Sequence, residues 1–275
     1  MGMVLVASSK DVTPKIQVVV ATHKPYWMPD DPMYRPLHVG AALHPDACPL
    51  MEGDDTGDSI SEKNASYCEL TAQYWAWRNV EADYLGLAHY RRHFAGSRAL
   101  DPHARVLSAE RAADILRRRD VIVPEPRHYY VESIYSHYAH AHPVEVLDAA
   151  LQIIRERTPE YRSSIDRVMN RSWAYLCNMW IAPAEVYRAY CSWLYPVLSE
   201  VELRVDTSGY DAYNLRAIGF MGERLFNVYL DHQMSERGLT AYRLPVVMLE
   251  SQHWPRKARR FLERKLRGEG RRHGA

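Results

Sequence analysis

The chain has 275 residues and a formal net charge of +1, long enough to bury a core without disulfide staples and too evenly charged for a global nucleic-acid-binding role. Cys48, Cys68, Cys177 and Cys191 show no C-x-x-C spacing, which argues against a structural zinc site and for reduced thiols in a cytosolic protein. No apolar run of about 18 residues is present, so no segment is expected to span a bilayer, and the first residues lack the cationic start and cleavage region of a secretory signal.

In chain order, residues 16–21 (Ile-Gln-Val-Val-Val-Ala) predict a first central strand. It ends in the polar cluster Thr22-His23-Lys24-Pro25. Residues 26–58 are rich in proline, aspartate and glycine and read as loop, with a short strand expected over 37–42. Ser59 and Glu62 have capping-box spacing. Tyr67, Leu70, Tyr74 and Trp77 recur at three- and four-residue steps, which predicts a helix over 61–79. A buried strand follows over 83–88. Ser108 can cap a helix through Arg119, and 120–123 reads as another buried strand. Residues 128–171 look helical, punctuated by Pro143 and Pro159. A strand is expected over 175–182 with Asn178 in its middle, then a helix from Pro183 to about Val201. A helix over 219–237 is closed by Gly238, and a last strand is expected over 244–249.

Strands and helices alternate, so the predicted class is α/β: a mostly parallel sheet flanked by helices, with a helical insertion at about 128–171. Residues 1–250 are expected to form one domain ahead of a basic tail over 251–275. In that tail Ala258, Phe261, Leu262 and Leu266 would share a helical face. Such a segment suits either an anionic membrane surface or a solvated terminus.

The strand over 83–88 runs into His89-Tyr90-Arg91-Arg92-His93. Ligands of open α/β sheets bind at the carboxyl ends of the strands. Adjacent guanidiniums suit a diphosphate, because each offers a planar fork of donors; the bland alternative is a solvated loop with surface ion pairs. Lys63 and Asn64, at the start of the 61–79 helix, are further anion-site candidates, and each also suits a capping turn. Glu223, in Gly-Phe-Met-Gly-Glu-Arg-Leu, is the leading general base. Asp206 and Asp211 compete with it, and pairing with the helix dipole, Arg224 or Arg216 is its structural alternative.

Asp30-Asp31 and Asp54-Asp55 could supply a magnesium site or simply form turns. His137, His140 and His142 lack the H-E-x-x-H arrangement of a zinc site. A nucleophile elbow, a P-loop and a G-x-G-x-x-G fingerprint are all missing, which counts against a triad hydrolase, a P-loop kinase and a classical dehydrogenase.

Together these pieces resemble a bacterial capsular-polysaccharide glycosyltransferase family, long catalogued as a domain of unknown function. The resemblance spans about 16–250. It rests on Val20-Ala-Thr-His-Lys24, Pro36-Leu-His-Val-Gly40, Asp55-Thr-Gly-Asp-Ser-Ile-Ser-Glu-Lys-Asn64, Tyr67-Cys-Glu-Leu-Thr71 and Tyr74-Trp-Ala-Trp77. Gly86-Leu-Ala-His-Tyr-Arg-Arg-His-Phe94, Asn178-Met179, Trp193-Leu-Tyr-Pro196 and Gly219-Phe-Met-Gly-Glu-Arg-Leu-Phe226 complete it.

The resemblance implies a GT-A-like fold and transfer of a hexosyl unit from a nucleotide-diphosphate sugar such as a UDP-hexose. Some members are similar to galactofuranosyltransferases. The implied acceptor is a glycan or a polyprenyl-linked sugar in capsule or exopolysaccharide synthesis, and the implied location is cytoplasmic, at the inner face of the cell membrane. Thr22, His23, Lys24, Lys63, Asn64 and Asn178 are then the expected donor contacts. His89, Arg91 and Arg92 would stabilise the diphosphate, and Glu223 would act as base in an inverting displacement.

Nucleotide-sugar transferases usually carry a metal-binding Asp-x-Asp where this chain reads His89-Tyr90-Arg91. Guanidinium charge is therefore expected to replace a manganese or magnesium ion, and metal dependence stays open. The rival readings are a non-catalytic nucleotide-sugar or glycan binder and a phosphotransferase.

Overall fold

The structure, a computed structural model, describes residues 13–250. The basic tail lies outside the described residues. The elements are β1 (Ile16–Thr22), β2 (Tyr34–His38), α1 (Asn64–Tyr67), α2 (Leu70–Asn79), β3 (Tyr84–His89), β4 (Arg92–Phe94), α3 (Ala109–Leu116), β5 (Val121–Pro124) and β6 (Arg127–His128). They continue with α4 (Ile134–Ala141), α5 (Val144–Arg157), α6 (Arg162–Asn170), β7 (Trp173–Ala174), β8 (Trp180–Pro183), α7 (Ala184–Arg204), α8 (Ala217–Arg237), β9 (Ala241–Leu244) and β10 (Val246–Met248).

The central sheet has eight strands, and six of them run the same way. β1 pairs in parallel with β2 and β3, and β5 with β9. β8 lies antiparallel between β3 and β5, while β4 is antiparallel to both β3 and β10. The sheet is thus mixed, with three parallel and four antiparallel ladders, the two longest being parallel, within an α/β architecture.

Strand periodicity explains the layering. Val19 and Ala21 of β1 face one core together with residues of α2, α5, α7 and α8. Ile16, Val18 and Val20 face the other, with residues of α3. A strand covered on both faces reads as a continuous apolar run, which is why β1, β3 and β5 are plain in the sequence. At Gly86 in β3, an added Cβ would meet the Trp180 carbonyl at 2.9 Å and Ile181 Cγ1 at 3.0 Å, so the close approach of β8 requires glycine.

Five local expectations change. The 61–79 helix is not continuous: Ser61–Lys63 is a 3-10 turn, α1 is one short turn, and Cys68 breaks the path with φ 53°. Asn64 Nδ2 seals the break by donating to the Cys68 carbonyl at 2.8 Å and Thr71 Oγ1 at 3.0 Å. The Ser59 capping box does not form; its hydroxyl donates to the Asp54 carbonyl at 2.6 Å and accepts from Ser61 N.

The strand expected over 37–42 is instead Tyr34–His38. The strand expected over 175–182 is reduced to β8, because Cys177 (φ 72°) and Asn178 (φ 51°) form a left-handed turn ahead of it. The strand expected over 244–249 divides at Pro245 into β9 and β10, which pair with β5 and β4 respectively. Between the short pair β6–β7, residues 128–171 fold as α4, α5 and α6. Among the described residues no helix is long and apolar enough to cross a membrane.

Candidate active site

Six strands of one direction end at one rim. β1 delivers Thr22, His23 and Lys24 there; β3 delivers His89 and, through the turn to β4, Arg91 and Arg92; β10 is followed by Glu250. The antiparallel β8 begins at that rim, so the Cys177–Asn178 turn sits on it. Helices α2 and α8 return toward the strand starts, so their N-cap residues Glu69 and Arg216, and Glu223 in the second turn of α8, lie toward the same edge.

The outer part of the rim is cationic. Lys24 Nζ donates to Glu250 Oε1 at 2.8 Å, and Arg91 Nη1 donates to Glu250 Oε2 at 3.4 Å. Both cations also approach the buried Tyr90 ring, at 5.1 Å and 5.7 Å from its centroid, and His23 meets that ring edge-on. The bond from Lys24 holds the Glu250 carboxyl below its ordinary range. Thr22 is buried, and its hydroxyl shapes the turn by donating to the Lys24 carbonyl at 2.5 Å.

The inner part holds two carboxyls. Glu69 and Glu223 have side chains only 13 % and 16 % exposed. Burial pushes both upward from the carboxylate range. For Glu69, hydrogen bonds and the Arg216 and Arg92 guanidiniums oppose that rise; for Glu223, Arg224 opposes it while the Glu69 charge adds to it.

The turn before β8 connects these groups. Cys177 N donates to Glu223 Oε1 at 2.7 Å, the Cys177 carbonyl bonds His89 Nε2 at 2.7 Å, and Asn178 Nδ2 donates to Glu69 Oε1 at 3.0 Å. Glu223 Oε2 takes Arg224 Nη1 at 2.9 Å.

Burial, then the Arg92 charge, lowers His89 to about 4, so its imidazole is neutral near pH 7. His89 therefore brings a fixed dipole to the rim rather than a positive charge. Burial also pushes the Cys177 thiol up to about 12 and Cys68 up to about 11, which leaves neither as a thiolate nucleophile near neutrality.

The structure gathers Thr22, His23, Lys24, His89, Arg91, Arg92, Asn178 and Glu223 on one edge. Lys63 and Asn64 have other engagements: Lys63 Nζ pairs with Glu202 Oε2 at 2.5 Å, and Asn64 closes the α1–α2 break. Asp206 and Asp211 accept amide hydrogens in an exposed loop. Asp31 anchors Met33 N and Ala109 N, and the buried Asp54 accepts from Gly40 N, Ala41 N and the Ser61 hydroxyl.

The three histidines diverge. His137 stacks on Tyr129, His142 stacks on Phe220, and His140 pairs with Glu132. A concavity lined by Arg111, Asp114, Ile115, Arg118, Arg119 and Tyr242 lies at the strand-start edge and includes none of the rim residues.

The rim does not fit a divalent cation. Guanidiniums stand where paired acids would be needed, and of the two inner carboxyls Glu223 is engaged on both oxygens, by a backbone amide and Arg224, which leaves a single open carboxylate oxygen, on Glu69. Among the described residues no group of three or more His, Cys, Asp or Glu forms a metal-ligand set.

Glu69, Arg216, Cys177 and Glu250 are rim residues that the sequence reading did not single out. For Glu69, the concealing signal was the helical periodicity over 61–79, which hid the break at Cys68.

A solved structure titled as the WbbM bifunctional glycosyltransferase in its apo form superposes with a TM-score of 0.80 at 29 % identity, over 86 % of this chain and 46 % of that one. The chain thus spans about half the length of that protein. The shared part is consistent with a GT-A-like fold. No curated protein matches the chain. A family described as a domain of unknown function (DUF4422) matches residues 17–234, and the chain belongs to that family.

Proposed function

We propose that the chain is a glycosyltransferase, with residues 1–250 as one catalytic unit, that moves a hexosyl unit from a nucleotide-diphosphate sugar, such as a UDP-hexose, to a glycan or lipid-linked acceptor. The observation that carries this reading is the convergence of Lys24 and Arg91 on a single carboxylate beside two sheltered acids. A lip that holds one anionic group between two cations suits a diphosphate, and the acids suit proton transfer from a hydroxyl. Similarity to a glycosyltransferase supports the class of reaction.

His23, Lys24, Arg91 and Arg92 would grip the donor's diphosphate. As the anomeric carbon–oxygen bond breaks, its electron pair goes to the diphosphate oxygen, where fixed guanidinium charge offsets it. The acceptor hydroxyl forms the new carbon–oxygen bond from the opposite face, with inversion, and gives its proton to a rim carboxylate. Polysaccharide synthesis and a galactofuranosyl donor remain within this proposal, supported by resemblance of the motifs. The test is a thermal-shift screen over nucleotides and nucleotide sugars, with and without manganese, coupled to assay of donor turnover. Stabilisation by uridine diphosphate and its release from a UDP-hexose without added metal are expected. A chain that binds donor but releases no nucleoside diphosphate is a binding protein, and phosphoryl transfer in place of sugar transfer marks a phosphotransferase.

A further inference from the structure

The two rim carboxyls are not equivalent. Both oxygens of Glu223 are occupied, one by Cys177 N at 2.7 Å and the other by Arg224 Nη1 at 2.9 Å. Glu69 accepts from Asn178 Nδ2 through Oε1, and its Oε2 takes no hydrogen bond from another residue among the described ones. His89 Nε2 is 4.0 Å from Glu69 Oε1, and the Arg216 and Arg92 charges partly offset the upward push of burial on this carboxyl. Arg216 is tied to the adjoining residue, its Nε donating to Cys68 Sγ at 3.2 Å. A carboxylate with an oxygen left open can take up a proton. A carboxylate locked on both oxygens can hold a scaffold.

What Glu223 holds is the turn at Cys177 and Asn178, both non-glycine residues with positive φ. Such a conformation is strained for a residue that carries a Cβ and persists when surrounding contacts over-determine it. Here they do. Glu223 fixes Cys177 N, the Cys177 carbonyl fixes His89, and the Asn178 amide fixes Glu69. Asn227, one helical turn beyond Glu223, clamps Tyr175 N and the Tyr175 carbonyl, each at 2.8 Å.

We infer that Glu69, the N-cap residue of α2, is the general base of the transfer reaction, and that Glu223 is a positioning residue that aims Glu69 and His89 through the Cys177–Asn178 turn. This inference rests on the glycosyltransferase reading and refines it. In the step, the acceptor oxygen forms its bond to the anomeric carbon while its proton passes to Glu69. The bond to the diphosphate breaks, its electron pair stays on the departing oxygen, and the protonated Glu69 later releases its proton to solvent. The upward displacement of Glu69 by burial makes it a better proton acceptor than an exposed carboxylate.

The test uses the full chain with UDP-glucose, UDP-galactopyranose and UDP-galactofuranose as donor probes. It follows uridine diphosphate release against pH and uridine diphosphate binding by calorimetry. E69Q keeps an oxygen for Asn178, so it is expected to fold and to bind uridine diphosphate within about threefold of wild type. Its kcat should fall about 100-fold or more, and the acid limb of the pH profile should vanish. E223Q keeps an acceptor for Cys177 N; its kcat should fall by about tenfold or less with the acid limb in place, and E223A should fall further with the limb still present. An E69Q enzyme with wild-type kcat and an intact acid limb overturns the assignment, as does loss of that limb in E223Q with its retention in E69Q. A wild-type chain inert toward every donor removes the glycosyltransferase reading itself, and this assignment with it.

Discussion

Lys24 and Arg91, from two different strand ends, bind opposite oxygens of the Glu250 carboxylate at 2.8 Å and 3.4 Å. The side chains of the two cations are 44 % and 40 % exposed. Partners this exposed add little to stability, since surface ion pairs contribute about 0–1 kcal/mol. Their value lies in the field they create at the sheet edge.

Arg91→Ala should therefore separate function from folding. Donor turnover is expected to fall by about 10²-fold, in line with loss of one charged stabilising group, while the unfolding midpoint stays close to wild type. Paired kinetics and thermal melts check this. Unaltered turnover would remove the role assigned to the guanidinium.

Glu250 occupies the cations that a diphosphate would use. Glu250→Gln is expected to tighten uridine diphosphate binding by about threefold to tenfold at low salt, with the gain shrinking as ionic strength rises. Calorimetric titration at two salt concentrations reads this directly. Weaker binding in the variant would show that Glu250 contacts the ligand instead of competing with it.

Asn178 serves through both backbone and side chain. Asn178→Gly keeps the left-handed turn without strain but loses the bond to Glu69; Asn178→Ala loses both. Asn178→Gly is expected to melt near wild type with strongly reduced turnover. Asn178→Ala should lose about 1 kcal/mol of stability as well. Equal activity in wild type and Asn178→Gly would exclude a role for the amide.

Acid should destabilise the fold before ordinary carboxylates titrate. Burial lowers His89, His93 and His137 to about 4 and His142 to about 3, from an ordinary 6.5. Each folded value lies below the unfolded one, so the stability these groups contribute is complete above about pH 6.5 and is lost as pH falls toward 4. Glu69 and Glu223, raised by burial, oppose the trend: their contribution is greatest at low pH and declines as pH rises through their folded values. Four histidines against two carboxyls leave a net loss in acid, with a slope of about 1.4 kcal/mol per pH unit for each extra proton bound by the unfolded chain. Urea unfolding at pH 7.5 and pH 5 measures it, and equal stability at both contradicts the burial of neutral histidines.

Much of the scaffold was legible from local pattern. β1, β3 and β5 are covered on both faces and so appear as apolar runs, α3 carries its Ser108 cap, and α8 ends at Gly238 with φ 71°. The charged end of β3 could be read because a strand followed by arginines must place them past its carboxyl end. Less visible was the break at Cys68, because Tyr67, Leu70, Tyr74 and Trp77 keep a helical rhythm across it. A rhythm of apolar residues reports which face is covered and is silent on whether the path between turns is continuous.

The sequence by itself determined an alternating α/β chain with a cationic strand end, since both follow from residue order and side-chain periodicity. Only the tertiary structure decided that β8 enters the sheet in reverse, bringing Cys177 and Asn178 to the rim, and that Glu69, Glu223 and Glu250 meet His89, Lys24 and Arg91 there. The reason is physical: periodicity is a property of neighbours along the chain, whereas strand direction and the meeting of distant charges are set by how both faces of the sheet are covered at once.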